Sequence, residues 1–285
     1  MLKRTILLLV LTVSVLNGIY ARGAEPAKSQ IFFKDSSGSI TVSASPEMTM
    51  MMQELLFEIC SVNNKITAKV NKRKYAKALT DLQGDKSDFA LVDHKPTFLA
   101  EKCNDWGVIY YAATAMVVVV NEANKVTGFK MVDLAKIFSR KILKWENFTG
   151  DKNGIHLIGL YNNTREGWLF RNLVMKQESV SRYFFPVSTG REVDIIISSD
   201  KNAVGFRMYS KLADNAKVKL VALNGVKPEP AMIINGKYPL AIHHYLCYNK
   251  KSKNPLVAKF IQYIKTVDFS DKIIKAGLIP TITKK

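Results

Sequence analysis

Cysteine is scarce in this chain. Cys60, Cys103 and Cys247 are the whole set and no Cys-x-x-Cys pair occurs. That excludes a disulfide scaffold; it leaves room for one bridge and an odd thiol in an oxidising compartment, and the spacing does not fix which pair. Histidine is almost as rare. His94, His156, His243 and His244 show no metal-ligand spacing, and the adjacent His243 and His244 fall in an apolar segment where neighbouring side chains face opposite ways, so no zinc site is expected. No Gly-x-Gly-x-x-Gly, P-loop, nucleophile elbow or metal motif is found, and neither Cys nor His sits beside a plausible base, which argues against an enzyme and against a cofactor. No aromatic-basic motif marks a specific nucleic-acid site. Long apolar runs are missing too: Ile6–Leu16 and Val108–Val120 both fall short of the roughly 18 residues that a membrane-spanning helix requires.

Acidic residues are also few, 24 against 42 basic ones, for a formal net charge of +18. Such a balance favours anionic partners, although the lysines are scattered and a generally Lys-rich composition accounts for it equally well. Lys3 and Arg4, the apolar run Ile6–Leu16 and the small-residue site Ala21-Arg22-Gly23 together read as a secretory signal peptide over 1–23. No Cys lies near the cleavage region, so a freely soluble, periplasmic or otherwise extracytoplasmic product is expected. The chain beyond the leader is long enough for one large or two ordinary domains, and 47% hydrophobic with 23% charged residues is ordinary for a globular protein.

Short β-rich runs alternate with helical ones, the signature of an α/β fold. Ser39–Val42 reads as a strand. Ser45-Pro46-Glu47 then opens a helix to about Ile59, with Ser as N-cap, Pro at the first helical position and an acid in the first turn. Its Met48, Met50, Met51, Leu55, Leu56 and Phe57 read as core packing against a sheet rather than a ligand box. Ile66–Val70 is a strand, Lys74–Leu82 a helix, and Asp88–Val92 a strand ending at Asp93. Val108–Val120 is extended and Met131–Phe138 is a short helix. His156–Leu160 is a strand, and Asn162-Asn163-Thr164 caps a helix to about Lys176. Val193–Ser198, Val204–Phe206, Val218–Leu223 and Ala241–Tyr248 are expected as strands, with Pro255–Val267 and Phe269–Ala276 as closing helices.

Four stretches carry a resemblance: Asp88-Phe89-Ala90-Leu91-Val92-Asp93, Ile137 to Trp145, Asn202-Ala203-Val204-Gly205-Phe206, and Tyr238-Pro239-Leu240. With them the chain resembles the phosphate-binding proteins of ABC transporters, in the type II periplasmic-binding-protein fold, along about residues 38–280. The resemblance implies a discontinuous α/β domain over 24–117 plus 239–285 and a second over 118–238. They would be joined by crossovers near Met116–Val120 and Tyr238–Ile242, with a ligand cleft between them.

The resemblance also implies four ligand loops. The first is Ser43-Ala44-Ser45-Pro46, where Ser45 reads equally as a ligand group and as a simple helix cap. The second is Asn71-Lys72-Arg73-Lys74-Tyr75, which has no glycine; Arg73 is either a ligand cation or part of a solvated helix start. The third ends in Asp93, with Val92 where the family has Ser. A carboxylate only accepts hydrogen bonds, so it would select a protonated oxyanion over sulfate; alternatively Asp93 is a turn acid before Pro96. The fourth places Thr164-Arg165-Glu166 at the family's Ser-Gly-Thr and Tyr161 or Asn162 near its Arg, with Arg165 as the substitute cation. The implied function is capture of inorganic phosphate or a similar oxyanion by a monomer and delivery to membrane permease subunits. The alternatives are another oxyanion, or a basic surface adhesin for polyanions.

Overall fold

The computed structural model describes residues 32–96, 105–210 and 216–282. The expected leader and Cys103 lie outside these residues. Cys60 and Cys247 are free thiols, and no helix among the described residues is long and apolar enough to cross a membrane.

The chain forms β1 (Gly38–Ala44), α1 (Pro46–Val62), β2 (Ile66–Lys72), α2 (Tyr75–Gln83), β3 (Phe89–Val92), the 16-residue β4 (Trp106–Asn121), β5 (Gly128–Phe129), α3 (Met131–Phe138), α4 (Glu146–Thr149) and β6 (His156–Leu160). Next come α5 (Arg165–Phe170), a π-helical turn over Arg171–Met175, β7 (Phe184–Val187), α6 (Gly190–Ser199), β8 (Ala203–Met208), β9 (Val218–Leu220) and β10 (Ala222–Leu223). The chain closes with α7 (Pro230–Ile234), β11 (Ala241–Asn249), α8 (Pro255–Tyr263), α9 (Val267–Lys275) and β12 (Ile279–Pro280).

One sheet in the order β2-β1-β3-β11-β4-β8-β6-β7 runs through the molecule, and β4 is its spine. The first half of β4, through Ala115, pairs antiparallel with β11. Its second half, Met116 to Val120, pairs antiparallel with β8. The run Val108–Val120, expected as extended, is thus part of one strand serving two half-sheets. Each half has its own core: Val42, Met52, Leu56, Phe89 and Phe260 in one, Val118, Phe138, Phe170, Val204 and Phe206 in the other. Helices cover both, which is why these strands read as continuous apolar runs.

The register sets where a ligand could sit. β1, β2 and β3 run parallel to one another, as do β6, β7 and β8. Pairing with β11 and β4 then brings the carboxyl ends of β1, β3, β6 and β8 toward the middle of β4 from opposite sides. Loops at strand carboxyl ends are the usual ligand position in open α/β sheets.

One expected strand is a helix. Val193–Ser198 lies within α6, because Thr189 and Glu192 form a capping box at its start. Val193 and Ile197, four residues apart, are buried while Ile195 is exposed. The β-branched Val-Asp-Ile-Ile-Ile run favours a strand locally, but the cap and a one-sided burial pattern override it. On α1, Met48, Met51, Leu55 and Leu56 are core as expected and Met52 and Ile59 join them, whereas Met50 and Phe57 are exposed.

Candidate functional site

Local chemistry places α1 at the carboxyl end of β1. Pro46 begins the helix and Ser45 stands at its N-cap, yet the Ser45 hydroxyl makes no capping bond. The Ser45 backbone N–H donates to Leu91 O at 2.9 Å, fastening this turn to β3. Ser45 Oγ is buried and has no hydrogen-bond partner. Of the two readings of Ser45, the side-chain cap is therefore not made in this structure.

Across the cleft, Thr164 is the N-cap of α5. Its Oγ1 accepts from Gly167 N at 3.1 Å and donates to Tyr161 O at 2.6 Å. A Cβ on Gly167 would lie 2.2 Å from Tyr161 O, so glycine is what allows this tight entry. Phe170, in the last turn of α5, stacks on Phe206 of β8 with ring centroids 3.8 Å apart. That contact fixes the helix, and with it Arg165, on the second half-sheet.

Arg165 Nη2 reaches Asp93 Oδ2 at 3.2 Å, joining the loop after β3 to the start of α5 across 72 residues of chain. Asp93 Oδ1 also meets His94 Nδ1 at 2.9 Å, and the His94 ring stacks on Tyr75 with centroids 3.7 Å apart. A cavity of about 400 Å³ opens beside Arg165 and is lined by Pro46, Thr114, Glu166, Met208 and His244 among others. His244 lies on the buried face of β11 and both of its ring nitrogens lack partners. Burial, the Arg165 guanidinium and His243 push its pKa down to about 3 against the opposing pull of Asp93.

The expected residues thus divide. Asp93 and Arg165 meet, and Arg165 and Glu166 line the cavity beside the first helical residue, Pro46. Ser43 and Arg73 instead turn onto Asp81 of α2, with Ser43 Oγ at 3.2 Å and Arg73 Nε at 2.7 Å; Lys77 Nζ joins them at 2.6 Å. This cluster holds the Asp81 carboxyl down at about 2, through the Lys77 and Arg73 hydrogen bonds first. Ala44 is buried and its carbonyl accepts from Arg73 N at 2.8 Å. Tyr161 and Asn162 are exposed, and Asn162 lines a separate polar depression with Trp168 and Arg171. The Thr164 hydroxyl is engaged within its own turn. His244 was not among the expected residues. The only signal in the sequence is a titratable ring in an apolar strand, which becomes meaningful once the strand's neighbours are known.

Residues 34–266 match the PBP superfamily domain. The chain belongs to that superfamily. Over 175 residues it is 27% identical to the phosphate-binding protein PstS of Bacillus subtilis, covering 61% of this chain and 57% of that protein. The chain thus spans less than two thirds of the curated relative it matches. Its fold is also that of an ABC-type phosphate transport receptor from Vibrio cholerae, with a TM-score of 0.71 at 20% identity over 85% of this chain and 99% of the other. A possible phosphate-binding protein from Planctomyces limnophilus aligns with a TM-score of 0.72 at 23% identity over 86% of this chain and 93% of its own. The binding-protein architecture expected from the sequence is therefore the observed one.

Proposed function

We propose that this superfamily member is an extracytoplasmic solute-binding protein that captures inorganic phosphate in the cleft at the middle of β4 and hands it to the membrane permease of an ABC transporter. The carrying observation is the convergence of Asp93 and Arg165, from the two half-sheets, beside the start of α1. Helix N-termini present unpaired N–H groups and partial positive charge to an anion. The Arg165 guanidinium adds directed donors, and the Asp93 carboxylate accepts only from an oxyanion that keeps a proton. The relationship to a phosphate-binding protein supports the choice of anion. The role is binding rather than catalysis, the acting form is a monomer, and no nucleic acid is involved. Export under the leader at 1–23 completes the reading, so the mature protein should begin near Ala24 by mass spectrometry.

Calorimetry with phosphate, sulfate and heparin at two salt concentrations tests this function. Phosphate should bind with weak salt dependence because the site is partly buried, and sulfate should bind much more weakly. Heparin binding that falls steeply with salt, together with no phosphate binding, would instead favour a polyanion adhesin. Equal affinity for phosphate and sulfate would remove the selective role of Asp93 and point to another oxyanion.

A further inference from the structure

His244 occupies a place that the strand register makes unusual. β11 lies antiparallel to β3 with Tyr245 opposite Val92, so the preceding residue of β11, His244, comes level with Asp93. On its other side His244 pairs with Ala112 of β4, and the register shifts between His244 and Tyr245, a bulge that re-aims neighbouring side chains. The ring is fully buried, lines the cavity that Arg165 also lines, and leaves both nitrogens unpartnered. Nearly all buried polar groups in folded proteins are hydrogen-bonded, so such a ring is positioned for a partner that enters from outside. Ser45 Oγ, at the N-cap of the 17-residue α1, is buried and unpartnered as well.

The groups around the ring determine its protonation. Arg165 comes from α5, Asp93 follows β3, and His243 is its neighbour on β11, with Nε2 turned onto Ile233 O at 2.9 Å. The Tyr111 ring of β4 lies with its centroid 6.3 Å away, and Glu166 lines the same cavity. Burial dominates and the imidazole stays neutral, carrying one N–H donor and one bare nitrogen. Arg165 and Asp93 offset one another in charge, so a neutral donor adds grip on an anion without adding a cation.

We propose that His244 is a ligand-contacting residue of the cleft, donating one ring N–H to an oxygen of the bound oxyanion. This rests on the oxyanion-binding reading of the site. It assigns to β11 a donor that comes from neither the loops after β1 and β3 nor the start of α5.

The test uses the mature protein labelled with ¹⁵N-histidine and inorganic phosphate as the probe. On saturation, one His244 ring N–H resonance should move while the ring keeps the chemical shifts of a neutral tautomer. His244→Ala should lose about tenfold in phosphate affinity by calorimetry, the value of one ordinary hydrogen bond. His244→Gln, whose amide also donates while neutral, should recover most of that loss. Phosphate binding that leaves the His244 resonances unmoved, with Ala and Gln variants binding like the unmutated protein, would overturn the proposal and leave the phosphate reading standing. Absence of phosphate binding to the unmutated protein would overturn both. Should the variants unfold, the ring resonances of the unmutated protein decide alone.

Discussion

At the scale of residues, three buried or half-buried ionisable groups play different parts. Asp93 is half-buried and bonds Arg165 and His94. Asp93→Asn replaces an acceptor-only group by one that also donates; calorimetry should show phosphate affinity falling about tenfold or more and discrimination against sulfate relaxing. Asp81 and His244 instead shape the acid limit of the fold. The native Asp81 pKa of about 2 lies below its unfolded value, so its contribution is present at neutral pH and is lost as pH falls from about 4 through 2. His244 is depressed from 6.5 to about 3, so the unfolded chain takes up a proton that the native one refuses, and stability falls as pH drops from 6.5 toward 3. Denaturant titrations between pH 7 and 3 should show this decline, and His244→Gln should flatten its upper part. Asp93 was singled out in the sequence by the family resemblance, which puts the third ligand loop at the end of the strand Asp88–Val92. Arg73 was ambiguous there, since nothing local reveals that Asp81 will neutralise it.

Elements position these residues by a few steric conditions. α5 enters beneath the Tyr161 carbonyl, where the absence of a Cβ at Gly167 is required and the obstacle is backbone. Gly167→Ala should therefore lower the thermal midpoint and weaken phosphate binding together, because the displaced helix start carries Arg165. Thr189→Ala should remove one side of the capping box of α6 and cost about 1 kcal/mol in denaturant unfolding, with phosphate affinity unchanged. α6 also shows how element type is decided. Its Ile-rich interior favours a strand by propensity, but packing of Val193 and Ile197 against the second core selects a helix. The start of α1 was fully legible, since Ser45-Pro46 acts within one turn. That the Ser45 hydroxyl would be left unbonded was not, because this depends on the approach of β3.

For the whole molecule, the long β4 spine and the return strand β11 are what connect the two half-sheets through the pairing at Ala115 and Met116. An anion touching Arg165 on one side and the start of α1 on the other binds a closed arrangement better than an open one, and that difference shifts the population. Phosphate should therefore reduce the radius of gyration in small-angle scattering, and Arg165→Ala should diminish both compaction and affinity. Tight phosphate binding with an unchanged scattering curve would refute closure.

The sequence by itself determined the alternation of strands and helices, the helix starts at Pro46 and Thr164, the extended run ending in Val120, and through its four stretches the binding-protein architecture. The first three arise from periodicity, capping and backbone preference, which act over a few residues; the architecture follows from the resemblance. Tertiary structure alone decided that Asp93 meets Arg165 across 72 residues, that Ser43 and Arg73 serve Asp81, and that His244 comes level with Asp93. Side-chain partners across a sheet depend on its register, and a shift of one residue would turn each side chain to the opposite face. That register is fixed by the packing of distant segments, so the composition of the site is settled only when the strands pair.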